Sequence, residues 1–141
     1  MSTNLILNMG TAFRGSMDII REGMSKNEKI STLALSILIH IDQNPDISQG
    51  QLGRVLRRDP MTMSQAVRAL QTAGLVTSEQ DSHDRRIKRL AITKKGKAMA
   101  ESLRESENRL INSLTRKWGK SRVNQFTRDV IEFNDFLSTG E

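Results

Sequence analysis

The residues of this 141-residue chain best equipped to do chemistry lie in two short stretches. The first is Arg85-Arg86-Ile87-Lys88-Arg89, a dense basic run entered from the polar turn Asp81-Ser82-His83-Asp84. A run of this kind is suited to a polyanionic partner. The second is the segment from Pro60 to Ala73. At about 100° per residue, Met63, Ala66, Val67, Leu70 and Ala73 share one arc of a helix, leaving Met61, Thr62, Ser64, Gln65, Arg68 and Ala69 on the opposite face. That outward face holds short neutral hydrogen-bonders and one arginine, with no acid. A merely solvated face usually mixes Glu with Lys. A face meant for a major groove needs donors and acceptors for base edges and no carboxylate facing phosphates.

Other chemistries start with little material. The chain has no cysteine and no tyrosine, so disulfides, thiolate metal sites and thiol nucleophiles are excluded. His40 and His83 are far apart in sequence, and neither has a carboxylate and a nucleophile at motif spacing. No glycine-rich phosphate loop is present, and no catalysis, metal or cofactor is expected. His40, beside apolar neighbours, reads as a partly buried structural histidine rather than a metal ligand, and His83 as a solvated one. The longest apolar runs are three or four residues, too short to span a membrane. The opening MSTNLILNMG lacks the basic start and long apolar run of a cleaved signal. A cytoplasmic location is the expectation.

The net charge of +6 is concentrated. Between Gln51 and Lys97 there are 11 Lys and Arg against 4 Asp and Glu, a net of +7, while the rest of the chain carries 11 against 12, a net of −1. The whole excess lies in the middle third, around the two stretches above.

The elements that must position these residues follow from periodicity and caps. Ile6, Met9, Phe13, Ile20 and Met24 mark an amphipathic helix over Leu5 to Met24. After a polar connector from Ser25 to Lys29, Ser31 caps a second helix with the stripe Leu33, Ala34, Ile37, Leu38 and Ile41, which stops at Asn44-Pro45. Ser48-Gln49-Gly50-Gln51 fits the capping box of a short third helix. Its Leu52, Val55 and Leu56 are expected inward, with Gly53 at a close helix crossing and Arg57 and Arg58 at its end. Asp59-Pro60 then starts the helix carrying the acid-free face, and Gly74 ends it. Two capped helices so close together read as a helix-turn-helix.

After Gly74 the period changes to two. Val76 to Gln80 and a returning strand through Leu90 and Ile92 form a hairpin with a basic tip. Thr93 caps a long helix whose stripe is Met99, Leu103, Ser106, Leu110, Leu114 and Trp118. Gly119-Lys120-Ser121 breaks it. Val123, Phe126, Val130, Phe133 and Leu137 then repeat at alternating steps of three and four, a heptad stripe. The reading is a mainly α protein with a small β-hairpin wing: an N-terminal helix (1–27), a winged helix-turn-helix (28–93) and C-terminal helices (94–141). The stripes on the first and last helices have no obvious partner in so small a domain. Pairing Ile6, Met9, Phe13, Ile20, Val123, Phe126, Val130, Phe133 and Leu137 across a two-fold axis would bury them, and a two-fold suits a palindromic duplex. The alternative is that they pack on their own domain as a monomer.

The order of elements resembles the MarR/SlyA family of transcription regulators over nearly the whole chain. The most specific part is Leu70 to Lys97: Leu70, Gly74, Leu75 and Val76, then Asp81, Asp84 and Arg86, then Ile92, Thr93 and Gly96. The resemblance implies a homodimer that binds a palindromic operator in double-stranded DNA, most often as a repressor. It makes Arg86 the wing arginine of the minor groove and Asp84 the acid that orients it. A narrow minor groove concentrates negative potential, and an arginine held rigid loses less entropy on entering it. Arg85, Lys88 and Arg89 would add phosphate contacts, and Thr62, Ser64, Gln65 and Arg68 would form the recognition surface. Arg68 stands where relatives commonly have an acid, and Pro60-Met61 is an unusual entry to that helix. The resemblance further implies a small aromatic or anionic effector bound between the DNA-binding and dimerisation lobes. The competing readings are a winged helix used only for protein interaction, a non-specific architectural DNA binder, and a metal-sensing regulator.

Overall fold

The computed structural model describes residues 3–24 and 29–140. Residues 25–28 of the expected connector, and with them the boundary drawn at 27/28, lie outside the described residues. The elements in chain order are α1 (Leu5–Arg21), α2 (Thr32–Gln43), α3 (Gln49–Val55), α4 (Pro60–Thr72), β1 (Val76–Gln80), β2 (Lys88–Ile92), α5 (Lys94–Trp118) and α6 (Lys120–Thr139). They divide into two compact units, residues 21–104 and residues 1–20 with 105–141.

In the unit of residues 21–104, side-chain caps place the helices. Ser31 Oγ accepts from the Ala34 N–H at 3.1 Å. Ser48 and Gln51 make a reciprocal capping box, Gln51 N–H to Ser48 Oγ at 3.1 Å and Ser48 N–H to Gln51 Oε1 at 3.0 Å. Each serine cap is worth about 1 kcal/mol, which matters most for a helix as short as α3. The core is built from Ala34, Leu35, Ile37, Leu38 and Ile41 of α2, Leu52 of α3, Met63, Val67 and Leu70 of α4, and Leu75, Val76 and Leu90 around the hairpin.

Two inward assignments are corrected. Val55 is 57% exposed. It sits in the last turn of α3, where the chain is already turning toward α4, and Leu56 is half-buried. In α2 it is Leu35, not Leu33, that is fully buried. Gly53 does mark a close crossing, since an added Cβ would lie 3.3 Å from both the Arg58 carbonyl oxygen and Met63 Cγ.

α4 ends through Gly74, at φ +75°, with Leu75 N–H donating to the Leu70 carbonyl and Gly74 N–H to the Gln71 carbonyl, each at 2.9 Å. This is the Schellman arrangement that glycine favours. The antiparallel hairpin pairs Val76 with Ile92 and Gln80 with Lys88. It is tied at its base to the start of α5. Thr93 N–H donates to the Leu75 carbonyl at 3.0 Å, its hydroxyl donates to the Gly74 carbonyl at 2.7 Å, and the same oxygen accepts from Gly96 N–H at 3.0 Å. Lys95 Nζ adds a bond to the Ala73 carbonyl at 2.9 Å. At Arg104, farther along α5, the guanidinium pairs with Asp42 of α2.

In the other unit, Gly119 at φ +86° separates α5 from α6. Trp118 and Phe126 meet edge to face with centroids 5.7 Å apart, and the Arg122 guanidinium carbon lies 4.1 Å from the Trp118 ring centre. Phe133 stacks on Phe136 at 6.4 Å. Met17, Ile20 and Val123 are buried within the single chain. Ile6, Phe13, Phe126, Val130 and Leu137 of the expected stripes remain exposed, as do Leu5, Leu7, Ile19, Ile131 and Phe136. Met9 and Phe133 are half-buried. No helix among the described residues is long and apolar enough to cross a membrane.

Candidate nucleic-acid interface

The outward face of α4 is set by its N-cap. Asp59 Oδ1 accepts the Thr62 N–H at 2.9 Å and Asp59 Oδ2 accepts the Thr62 hydroxyl at 2.6 Å. The two bonds, the hydroxyl first, hold the Asp59 carboxyl below the usual carboxylate range, so its charge is spent on the helix start. Thr62 therefore has its hydroxyl proton engaged and offers a base edge an acceptor and a methyl group. Ser64 Oγ accepts from Gln49 Nε2 of α3 at 3.1 Å, which leaves its own proton to donate outward. Gln65 and Arg68 are exposed, and among the described residues neither side chain is engaged in a hydrogen bond. All four side chains lie on the face that the sequence assigned to them, opposite Met63, Ala66, Val67 and Leu70.

The wing is more tightly built than a solvated hairpin. Asp81 closes its turn, with one carboxylate oxygen accepting the His83 and Asp84 N–H groups, each at 3.0 Å, and the other accepting Arg89 Nε at 3.1 Å. These bonds, the His83 N–H first and the Arg89 guanidinium next, hold the Asp81 carboxyl below its ordinary range. Asp84 takes Arg86 in fork geometry, Nε to Oδ1 and NH2 to Oδ2 at 3.1 Å each, and also accepts the Arg86 N–H at 3.0 Å. The pairing lowers the pKa of Asp84 and raises that of Arg86. The Arg86 side chain is nevertheless 90% exposed. A guanidinium aimed by two parallel hydrogen bonds and open to solvent is pre-organised for an anionic groove.

Arg85 and Lys88 are exposed on the same wing. Arg89 has a different setting. Besides Asp81, its NH1 donates to the Asp46 carbonyl at 3.1 Å. Arg89 also forms a β-bridge with Ser48, and the Leu90 N–H donates to the Ile47 carbonyl at 3.1 Å. Arg89 thus braces the wing against the turn that leads into α3, where Asp46 adopts φ +64°. Sequence reading missed this brace because its two ends are 43 residues apart. The turn itself was legible from its polar residues Asp81-Ser82-His83-Asp84, but the bonds that Asp81 makes within it were not.

His40 Nδ1 lies 2.7 Å from the Ser36 carbonyl oxygen, which can only accept, so Nδ1 carries the proton. No group of three or more His, Asp or Glu among the described residues is arranged to hold a metal ion.

Comparisons with known proteins bear on the family and the fold. The MarR family model matches residues 30–88. The HTH-type transcriptional regulator YybA of Bacillus subtilis, itself uncharacterized, is 33% identical over 67 residues, covering 48% of this chain and 45% of YybA, so the match spans about half of that relative. The HTH-type transcriptional regulator BilQ of Clostridium symbiosum is 26% identical, with 79% of this chain and 88% of BilQ covered. Streptococcus pneumoniae FabT, solved in complex with DNA, superposes with a TM-score of 0.78 over 97% of both chains at 16% identity, a likeness of fold.

Proposed function

Because the chain belongs to the MarR family of winged helix-turn-helix regulators, we propose that it binds a palindromic DNA operator as a homodimer and acts as a ligand-responsive repressor. The single observation that carries the DNA reading is Arg86, solvent-exposed yet gripped by Asp84 at the end of a braced wing. In this reading Thr62, Ser64, Gln65 and Arg68 of α4 read base edges in the major groove. Arg86 enters the flanking minor groove, and Arg85 and Lys88 meet phosphates. Arg89 supports the wing, with its charge shared between Asp81 and any nearby phosphate.

The homodimer is supported by the apolar surface that single chains leave open on α1 and α6, including Ile6, Phe13, Phe126, Val130 and Leu137. Exposed apolar area of this extent marks an interaction surface. Ile20 and Val123, already covered within the chain, belong to the support beneath that surface. The effector is proposed as a small aromatic or anionic molecule on the family resemblance alone. It would act by preferring one spacing of the two recognition helices. The protein works as a regulator in the cytoplasm rather than as an enzyme.

The test is selection of bound duplexes from a random pool, followed by affinity for the winner across a salt series. A palindromic winner with half-sites about one helical turn apart and a steep salt slope is expected. Salt-sensitive binding with no enriched site would replace this reading with an architectural one. Absence of binding at low salt would replace it with a protein-interaction module.

A further inference from the structure

Met61 stands apart from the polar side chains on the outward face of α4. At 73% exposure it is the most exposed large apolar residue among those described. The other open apolar residues lie on the terminal helices, except Val55 at the end of α3. We propose that Met61 is a specificity-determining residue that packs on the C5-methyl group of a thymine in the major groove. The operator is then read at that position by an apolar contact rather than by a hydrogen bond. The proposal rests on the DNA-binding reading above and deepens it by naming a base.

Direction argues for it first. Met63, Ala66, Val67 and Leu70 are the buried residues of α4. At about 100° per residue, Met61 lies within about 20° of the pole opposite their centre. Gln65 and Arg68 continue the same stripe one and two turns later, while Thr62 and Ser64 flank it and are half-buried. Within the first turn, Met61 therefore points most directly away from the core. It also follows Pro60, the first residue of the helix, and a recognition helix presents its N-terminal residues to base edges. A single exposed apolar side chain is ordinary on a protein surface. What singles Met61 out is its place at the pole of the face that the polar readers share.

Chemistry argues second. Among the groups that base pairs display in the major groove, the thymine methyl is the one suited to an apolar contact. The methionine side chain is unbranched and polarizable, so it can follow a methyl group whose position is fixed by the duplex. The residues around it do not impose a polar contact instead. Both carboxylate oxygens of Asp59 are bonded to Thr62, and the Thr62 hydroxyl proton is spent in one of those bonds. The first turn of α4 thus opens the reading face with apolar surface, and the hydrogen-bonders Ser64, Gln65 and Arg68 come after it. Covering the methionine is favourable only when a partner supplies apolar surface in return.

The experiment measures the affinity of the full chain for the selected operator at fixed salt, replacing each thymine of the half-sites in turn by uracil. Uracil removes the C5-methyl and leaves every hydrogen-bonding group in place. For wild type, one uracil position is expected to weaken binding about 4-fold per half-site and about 15-fold with both half-sites replaced. Met61→Ala is expected to bind the thymine operator with a similar loss and to be indifferent to uracil at that position alone. Met61→Leu, apolar and of similar volume, is expected to keep most of the affinity and of the uracil sensitivity. Selection from a random pool with Met61→Ala is expected to relax the preference at the same position and no other. Equal uracil sensitivity in wild type and Met61→Ala overturns the proposal and leaves the DNA reading standing. So does a selected operator with no thymine in its half-sites, or a Met61→Leu variant that behaves like Met61→Ala. A Met61→Ala loss accompanied by a lower thermal midpoint, with the uracil pattern unchanged, assigns Met61 to folding and also overturns it. Failure of wild type to bind any duplex overturns both readings together.

Discussion

Gly96 should be the least replaceable of the described glycines. A Cβ built there would lie 2.0 Å from the Leu75 carbonyl oxygen, 2.9 Å from Ile92 Cγ1 and 3.0 Å from the Leu75 carbonyl carbon. Ordinary contact begins near 3.4 Å, so Gly96→Ala requires α5 and the Gly74–Leu75 turn to separate by more than 1 Å. Two of the three close atoms are backbone and cannot rotate away. The separation would stretch Thr93 N–H to Leu75, the Thr93 hydroxyl to Gly74 and Lys95 Nζ to Ala73. Overpacking typically costs about 1–3 kcal/mol and each weakened hydrogen bond about 0.5–1.5 kcal/mol. Helix propensity returns at most about 1 kcal/mol. A net loss of roughly 2–4 kcal/mol is expected. Urea denaturation at fixed protein concentration should show a lower midpoint with an unchanged slope. Gly50→Ala, whose new methyl would meet nothing nearer than 3.8 Å, is the control and should cost far less. A Gly96→Ala loss below about 1 kcal/mol would refute the reasoning, because it would mean that the α5 start is free to slide.

Three further outcomes follow from the interface. Arg86→Ala should weaken operator binding roughly 5- to 150-fold, most on A·T-rich flanks, as measured by titration at fixed salt; equal affinity would remove the wing assignment. Val130→Asp/Leu137→Asp, at two exposed apolar positions of α6, should give monomers by sedimentation with helical content retained; a persistent dimer would mean that the α6 stripe is not at the interface. The lowered carboxyl pKa values of Asp81 and Asp84 make wing order a contribution that is complete above the ordinary carboxylate value of 3.8 and lost as pH falls through the lower folded values. The Arg86 and Arg89 side-chain N–H signals in an acid titration should therefore persist to below that value, and their loss well above it would contradict the pairing.

What the sequence showed and what it hid divide by range. Ser31, Ser48 with Gln51, Asp59 with Pro60, and Gly74 are local signals, each deciding its own turn of backbone, and the structure places each where the sequence does. The face of α4 was legible because its period is short and its outward residues share a chemistry. Val55 and Leu33 were misplaced because periodicity counts apolar residues without knowing where the neighbouring element ends. Val55 falls where α3 gives way to its turn, and Leu35 displaces Leu33 on the buried side. The φ of +54° at Arg57, just past α3, was hidden for the opposite reason: positive φ is inferred from glycine, and this exit has none.

The long-range contacts also explain why the wing can be part of a rigid reader. A two-stranded hairpin alone is marginally stable in water. Here β2 is additionally paired to Ser48, Leu90 N–H reaches the Ile47 carbonyl, and Arg89 bridges Asp81 to Asp46. Ser48 in turn caps α3, and Gln49 beside it reaches Ser64 on the face of α4. The contacts run from the wing turn through the start of α3 to the recognition face without leaving the unit of residues 21–104. Displacing the wing therefore strains the cap of α3, and the positions of Arg86 and of Ser64 are set by one connected frame rather than by two independent elements. Under the proposed DNA reading, such a frame would let Arg86 and the α4 face meet one duplex with little further ordering, and the wing would add affinity that a free basic hairpin would lose to entropy.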